Sequence, residues 1–209
     1  MASQLQSFYG MLAFLALTLT GGYIAAILFF NFKPRKSTEA QLARRALRSL
    51  GMSDKADWKT VIISATRDVE IPLEQLWETW SNLEEWPTWS ALHASAKWAG
   101  DPEWQVGACF EQGVKLGFPF GTVRSTETVA QYYPEREVGW CKKTGPVVSC
   151  HIWSFNLLPN RRVRVTSTEV LHGTLIGLLK PVIFLQWQRK FEKSVTSLVK
   201  HAENRVLQG

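Results

Sequence analysis

Two residues in the second half of the chain offer the chemistry of an acid and a base. His151 carries an imidazole and Glu169 a carboxyl group, and they lie in residues 147–157 and 163–171, where bulky apolar side chains alternate with other residues. Such alternation predicts two half-buried strands. Inside an apolar cavity, a carboxylate facing an imidazole would fix the ring tautomer and raise the imidazole pKa, as a general acid or base requires.

The connection between the two stretches sets which residues face each other. Residues 159–161 read Pro-Asn-Arg, and in a three-residue loop the proline starts a type I turn while Asn160 or Arg161 takes the left-handed position. His151 then faces Glu169. The other facing pairs are Trp153 with Ser167, Phe155 with Val165, and Leu157 with Val163. A two-residue loop would set apolar against polar side chains throughout, so the three-residue loop is favoured.

A structural interpretation of this pair stands beside the catalytic one. His151 and Glu169 would satisfy each other as a buried pair, or contact a ligand headgroup without chemistry, because structural pairs also have perturbed pKa values. Arg67 and Glu127 fall on the inward face of their own strands by the same alternation. They are therefore candidates to join the pair in one polar site.

Aromatic residues are abundant in the region around this pair. All ten tryptophans lie between Trp58 and Trp187. We expect about two-thirds of them to be ordinary core residues, since large aromatic side chains dominate many cores. The others would line an apolar pocket that holds a few fixed polar groups. Besides Arg67 and Glu127, the predicted ligand contacts are Trp77, Trp80, Phe110, Trp153, Phe155, Ser167 and Phe191.

Motifs of several other chemistries are absent from the sequence. It contains no CxxC, HExxH, GxSxG or GxGxxG pattern and no P-loop, so a metal site, a nucleophile elbow and a nucleotide cofactor have no support. We predict no metal and no cofactor. The net charge of +6 does not indicate a nucleic-acid partner, because residues 58–209 hold seventeen Lys and Arg against fifteen Asp and Glu, with no basic run interleaved with aromatics.

The stretch that would position these residues runs from Val69 to Ser90. Residues 61–71 alternate as a strand does, and after Pro72 the apolar side chains recur at helical spacing. A second short helix follows, and Pro87 ends it. The predicted order is a strand followed by two short helices with aromatic faces.

This order carries a family resemblance. The motif I-P-x-x-x-L-W-x-x-W from Ile71 to Trp80, followed by W-P-x-W at residues 86–89, resembles the opening of the START-related (SRPBCC) superfamily. Its members include polyketide cyclases, birch-pollen-allergen relatives and coenzyme-Q-binding proteins. The resemblance covers about residues 58–204, and Glu169 and Gly173 also fall on fixed positions of a run near the last strand in the cyclase-like branch. It implies an α+β helix-grip fold, in which a curved antiparallel sheet and a long C-terminal helix enclose a cavity.

The remaining elements fit that architecture. Turns at residues 101–103, 134–136 and 145–146 separate further strands. A terminal helix is predicted from about Pro181 to Arg205, because its apolar residues recur every three or four positions and form a stripe that a curved sheet can bury.

Two apolar loops are predicted beside the cavity. Residues 117–121 carry Phe118 and Phe120, and residues 173–179 carry Leu175 and Ile176. Apolar loops flanked by glycines suit a gate over a cavity or a tip that enters a membrane. The alternative is that they fold back on the core.

The N-terminal residues 1–32 are predicted to form a transmembrane anchor. They contain no charged side chain, and their apolar part is long enough to span a bilayer as a helix. A cleaved signal peptide is the alternative, but no basic start and no small-residue cleavage site are evident. Basic residues follow the span and none precedes it, so the positive-inside rule predicts a single-pass protein with its C-terminal domain in the cytoplasm.

Residues 33–57 are predicted to be a basic juxtamembrane linker or helix, and residues 58–209 the START-like ligand-binding domain. In the linker, an apolar stripe at helical spacing opposes a basic side that would favour anionic headgroups. The chain has only three cysteines, Cys109, Cys141 and Cys150, which suits a reducing compartment better than a disulfide framework.

The sequence therefore predicts a membrane-anchored domain that binds a hydrophobic small molecule such as a lipid or isoprenoid. The alternative is an enzyme of the cyclase or dehydratase type that acts on a similar ligand, and a third possibility is a scaffold that uses only its surface. The sequence does not define an oligomeric state.

Overall fold

One antiparallel sheet of seven strands organises the folded part of the chain. The computed structural model describes residues 18–26, 41, 44, 45, 48, 58–117 and 121–206. The strands are β1 (Thr60–Val69), β2 (His93–Trp98), β3 (Cys109–Gly117), β4 (Gly121–Tyr133), β5 (Glu137–Thr144), β6 (Val147–Leu157) and β7 (Val163–His172). Their order in the sheet is β1-β7-β6-β5-β4-β3-β2, so the first strand pairs with the last and the other neighbours are joined in sequence.

The register of the β6–β7 hairpin is the predicted one. His151 pairs with Glu169, and the pairs Trp153 with Ser167, Phe155 with Val165, and Leu157 with Val163 follow. The loop Pro159–Arg161 is a 3₁₀ turn in which Asn160 and Arg161 both have positive φ, at 64° and 59°. The loop chemistry thus places the imidazole and the carboxyl group on one face, as expected.

Three helices cover the sheet's inner face. α1 (Leu73–Ser81) and α2 (Trp86–Trp89) follow β1, with a 3₁₀ turn at Leu83–Glu85 between them. α3 (Thr174–Val206) begins directly after β7 and packs along β1. The prediction of a loop at residues 173–179 is wrong, because residues 174–179 form the first turns of α3, and Pro181 lies inside the helix.

The curled sheet, the two short helices and the long C-terminal helix form a helix-grip arrangement, as predicted. Side chains on the inner face of the sheet and the inner sides of the helices build the main core, which includes Ile63, Leu76, Trp80, Val165 and Leu198. Burial of this surface is the main contribution to the stability of the fold.

A second, smaller cluster lies on the outer face of the sheet. It contains Val148, Cys150, Ile152 and Val170, all less than one-tenth exposed, with Cys141 packed against them. Cys141 pairs with Cys150 across β5 and β6, and the two form a disulfide. The low cysteine count had argued against a disulfide framework, and this argument fails for these two residues, while Cys109 is free.

The predicted anchor and linker lie largely outside the described residues. Residues 18–26 are helical, and the hydroxyl of Tyr23 donates a hydrogen bond to the carbonyl oxygen of Leu178 in α3. Arg45 in the linker forms an ion pair of 3.2 Å with Glu137 at the start of β5. Among the residues placed by the structure, no helix combines the length and apolarity needed to cross a bilayer.

Candidate functional site

A cavity of about 460 Å³ lies between the sheet and the N-terminal half of α3. The helix contributes an apolar wall that includes Ile176, Leu179, Ile183 and Phe191. The sheet contributes most of the polar groups. These are His93, Gln112, Ser125, Glu127, Ser149, His151 and Glu169, which come from the five strands β2, β3, β4, β6 and β7. Trp140 and Lys142 of β5 also line the cavity.

His151 and Glu169 form the centre of the polar wall. The imidazole Nδ1 lies 3.3 Å from Glu169 Oε2, and Ser149 donates a hydrogen bond of 2.6 Å to Glu169 Oε1. The other imidazole nitrogen, Nε2, lies 2.8 Å from the hydroxyl oxygen of Ser167. Both side chains are about nine-tenths buried or more, so these contacts hold the ring and the carboxyl group in fixed orientations.

The charge state of the pair differs from the predicted one. Burial holds the pKa of His151 well below its usual range, and the neighbouring imidazole of His93 lowers it further. Burial also raises the pKa of Glu169 to about 8, against the opposing effect of the Ser149 hydrogen bond. The expectation that the carboxylate raises the imidazole pKa is therefore wrong. Burial therefore favours the uncharged form of both groups across the 3.3 Å contact.

A second buried histidine, His93, lies on the same cavity. Its Nε2 donates to Gln112 Oε1 at 3.1 Å, and its Nδ1 lies 2.7 Å from the hydroxyl oxygen of Ser90. Ser90 in turn contacts Ser194 of α3 at 2.9 Å. Burial lowers the pKa of His93 to about 4, so this ring is also neutral at pH 7.

The sequence analysis did not identify His93, and a local irregularity explains why. Ala96 pairs with the cavity residue Gln112, and strict alternation from Ala96 would turn His93 to the outer face. A bulge between His93 and Ser95 adds one residue and turns His93 inward, opposite Val114. No alternation pattern read from the sequence contains that bulge.

Glu127 supplies a second carboxyl group to the cavity. It is 5% exposed, and Ser125 donates a hydrogen bond of 2.6 Å to its Oε1. Gln112 on the neighbouring strand pairs with Ser125, so the amide and this carboxyl group come from adjacent rows of the sheet. The cavity thus has two acidic side chains and two imidazoles facing one apolar helix.

Residues 60–203 match the model of a family described as polyketide cyclase/dehydrase and lipid transport proteins. The chain belongs to this family. The match covers the whole sheet and most of α3, so it includes every strand that lines the cavity. The family and the fold suggest hydrophobic ligand binding or a polyketide cyclase-type function. None of the curated protein sequences matches this chain significantly.

Solved structures support the fold of the polyketide cyclase/dehydrase family. The Zhui aromatase/cyclase from Streptomyces sp. R1128 is similar with a TM-score of 0.57 and 16% identity, over 70% of this chain and 96% of that one. A START superfamily protein from Mycobacterium smegmatis has a TM-score of 0.55 and 14% identity, over 68% and 97%. Major latex-like protein 151 from Panax ginseng has a TM-score of 0.56 and 9% identity, over 69% and 98%. At these identities the likeness shows the fold alone.

Several residues predicted to contact the ligand do not line the cavity. Trp80, Phe110, Trp153 and Phe155 are almost completely buried in an aromatic core beside the cavity, and Trp77 packs against that core. The inward alternation was read correctly for the strand residues, but these side chains pack in the main core and do not line the cavity. Phe191 does line it.

Two polar candidates also lie away from the cavity surface. Ser167 is fully buried behind His151, where it holds the imidazole without lining the cavity. Arg67 is exposed, and its guanidinium donates a hydrogen bond of 3.1 Å to Thr196 on α3. Its parity is inward, but it lies near the end of β1, where the sheet extends past the cavity.

The open side of the cavity is formed by the start of α3. Leu175 and Ile176 both line it, and Leu175 is 55% exposed while Ile176 is buried. The predicted gate residues Phe118 and Phe120 lie outside the described residues. Within the part of the chain that the structure describes, no three His, Cys, Asp or Glu side chains are grouped so that they could hold a metal ion.

Lys190 joins α3 to the end of β3 near this opening. Its ammonium group donates hydrogen bonds of 2.7 Å to the carbonyl oxygens of both Lys115 and Leu116. Burial lowers the pKa of Lys190 from its ordinary value. The Lys190 side chain therefore ties the end of β3 to the helix next to the cavity.

Proposed function

We propose that this chain binds a hydrophobic small molecule, such as a lipid or isoprenoid, in the cavity beneath α3. The observation that carries the proposal is the lining of the 460 Å³ space, which is almost entirely apolar on the helix and carries most of its polar groups on the sheet. A ligand would place its apolar body against Leu179, Ile183 and Phe191 and its polar end against the His151 and Glu169 pair. Apolar pockets with a few convergent polar groups are typical of small-molecule sites.

The binding test uses the full-length chain in a non-ionic detergent and the neutral fluorophore Nile red. Val114→Trp would fill the cavity from β3, whereas Leu157→Trp adds the same side chain at a site that is 68% exposed and does not line the cavity. We expect saturable binding that Val114→Trp reduces at least about tenfold, a change of about 1.4 kcal/mol, and that Leu157→Trp leaves unchanged. Equal binding by both variants would place the dye elsewhere and remove support for the cavity.

The membrane anchor, residues 1–32, and the cytoplasmic placement of residues 58–209 are part of the same proposal. The uncharged N-terminal sequence supports the anchor, and the contact of Tyr23 with Leu178 supports its approach to the open side of the cavity. Leu175, Leu178 and Leu185 are all about half exposed or more on that part of α3, as a surface near lipid requires. Such a placement would let the domain take up, transfer or present a ligand at the bilayer.

The anchor is tested by extraction. The full-length chain should stay with membranes in alkaline carbonate, whereas a chain that starts near Ser53 should be soluble and folded. A soluble, processed full-length product would contradict the anchor without bearing on ligand binding.

A cyclase or dehydratase activity on a hydrophobic polyketide-like substrate is the second candidate, and the His151 and Glu169 pair favours it. A protonated carboxyl group beside a neutral imidazole offers an acid and a base at one place, and a pKa of about 8 for Glu169 is close to the range that proton transfer needs. Glu169→Gln and His151→Gln should then abolish turnover while ligand binding persists. If both variants retain binding and no turnover is found in the unaltered chain, the pair is structural.

A further inference from the structure

The acidic groups of the cavity have no basic partner. Glu127 and Glu169 are each 5% exposed, and both line the cavity. The partner of Glu169 is His151, and the hydrogen-bond partner of Glu127 is Ser125. Among the described residues, no Lys or Arg side chain lies within ion-pair distance of either carboxyl group. Burial favours the uncharged form of Glu169. Glu127 is the acidic group for which a ligand can supply a positive charge that the described residues do not.

The imidazoles do not supply that charge. Burial lowers the pKa of His93 to about 4 and holds the pKa of His151 well below its usual range, so both rings are neutral at pH 7. Arg124 and Lys142 are the basic residues that line the cavity, and neither pairs with an acidic group there. Arg124 is exposed and Lys142 half-buried, so solvent screens both.

An oxygen atom of Glu127 without a hydrogen-bond partner in the described part of the chain also favours a ligand that donates a hydrogen bond. Glu127 Oε1 accepts from Ser125, and its second oxygen, Oε2, has no partner within the described part of the chain. Oε2 is therefore free to accept a hydrogen bond from a ligand. A ligand that ends in a carboxylate would bring a second acceptor and a second negative charge to the same place, where the low local dielectric makes repulsion strong.

Resting on the proposed function, we propose that the cavity selects an amphiphile whose polar end donates hydrogen bonds to Glu127, a protonated amine above all, and that it rejects a carboxylate. The apolar part of such a ligand would lie along α3, and its ammonium group would reach Glu127 Oε2. A hydroxyl group would fit the same donor position without supplying the charge. The predicted order of affinity is amine, then alcohol, then carboxylate.

The test compares three compounds that differ only at the polar end. The full-length chain in non-ionic detergent is titrated calorimetrically at pH 7 with naphthylmethylamine, naphthalenemethanol and naphthoate. We expect the amine to bind about tenfold more tightly than the alcohol, and the carboxylate to bind more weakly than either. Naphthoate binding as tightly as the alcohol, or more tightly, would overturn the inference and leave the proposed function standing.

Two variants that replace a carboxyl group with an amide test whether the preference for the amine depends on Glu127. Glu127→Gln should reduce the amine-to-alcohol ratio to about one, because the amide keeps the shape and loses the charge. Glu111→Gln is the control, since Glu111 is exposed and pairs with Lys97 on the neighbouring strand. An unchanged ratio in Glu127→Gln would overturn the assignment to Glu127. If none of the three compounds binds and Val114→Trp does not alter Nile red binding, the proposed function itself fails, and this inference with it.

Discussion

The same sheet is filled with aromatic rings at one end of its inner face and left hollow at the other. At the filled end, Trp80 contacts Trp86, Trp104 and Phe155 with ring centroids 4.8 to 5.7 Å apart. At the hollow end the inward positions of the sheet carry smaller side chains, both polar, such as Ser125 and Ser149, and apolar, such as Val114. On β6 the change occurs between His151, which lines the cavity, and Trp153, which does not.

This difference separates stability from binding within one fold. Ring packing of this density stabilises the closed end beyond the burial of area alone. It also leaves the indole N–H groups of Trp80, Trp89 and Trp153 buried without a partner in the described part of the chain, so the packing there outweighs some unmade hydrogen bonds. The hollow end carries the acidic groups and imidazoles instead. We therefore expect substitutions at the two ends to affect different measurements.

The largest effect should come from the filled end. Trp86→Ala removes a side chain that is 1% exposed and donates a hydrogen bond of 2.6 Å to the carbonyl oxygen of Trp80. We expect the free energy of unfolding to fall by about 3–5 kcal/mol, measured by denaturant titration. Val114→Ala at the cavity wall is the matched comparison and should cost much less, because it enlarges a space that is already open. Similar losses at both sites would break the distinction between the ends.

The next largest loss of stability should come from breaking the disulfide between Cys141 and Cys150. Cys141 and Cys150 are neighbours in sequence of Trp140 and His151, so their bond ties β5 to β6 where the rings give way to the cavity. Closing a loop of nine residues should contribute roughly 2–3 kcal/mol. We expect a phosphine reductant to lower the melting temperature of the unaltered chain. The double variant Cys141→Ala/Cys150→Ala should show no response to it, and an equal response would mean that the reductant does not act through this disulfide.

A smaller, pH-dependent effect belongs to the hollow end. Burial raises the pKa of Glu169 from 4.5 to about 8, so the unfolded chain releases this proton at lower pH than the folded one. Its contribution to stability is therefore present below pH 4.5 and is lost as the pH rises towards 8. We expect the stability of Glu169→Gln relative to the unaltered chain to rise by about 1–2 kcal/mol between pH 6 and pH 8.

The comparison of Glu169→Gln with the unaltered chain also depends on the groups that face Glu169. They are His151, Ser149 and the second acidic group, Glu127. The low pKa of His93 acts in the opposite direction, with stability lost as the pH falls from 6.5 to about 4, and it is common to both proteins. Chemical denaturation at several pH values measures the difference, and a difference independent of pH would mean that Glu169 is ionised in the folded state.

The smallest effect on stability should come from a substitution at the open side of the cavity, at the start of α3. Leu175→Asp replaces a 55% exposed side chain in the first turn of α3, where a negative charge is favourable to the helix. We expect a change within about 0.5 kcal/mol in stability. Contact with liposomes, measured by flotation, should fall, whereas Leu157→Asp at the far end of β6 should have no effect. A large loss of stability would mean that Leu175 is a core residue.

The sequence predicted most of the fold because alternation and turn residues are local signals. The turn at Gly145 and Pro146 pairs Thr144 with Val147, and the same register leads to Cys141 opposite Cys150. That disulfide was therefore within reach of the sequence, although the small number of cysteines argued against it. Alternation gave the inward face of each strand, but not the position along it where the cavity ends.

The start of α3 was missed because its glycines resemble loop residues. Gly177 is helical, and a Cβ atom there would lie 2.6 Å from the ring of Trp58. The glycine is needed for close packing against a distant residue and not for a turn. Such a requirement depends on the tertiary structure, as does the bulge that turns His93 inward, so neither can be read from a local pattern.

The tie between Lys190 and the end of β3 bears on how long a ligand stays bound. If the hairpin must part from α3 for a ligand to leave, two hydrogen bonds from one ammonium group break together. Hydrogen bonds to a charged group contribute about 1.5–3 kcal/mol each. Since each 1.4 kcal/mol in an activation barrier is about a tenfold change in rate, residence time would then depend on this one lysine, and Lys190→Met would release ligand faster with little change in the shape of the cavity.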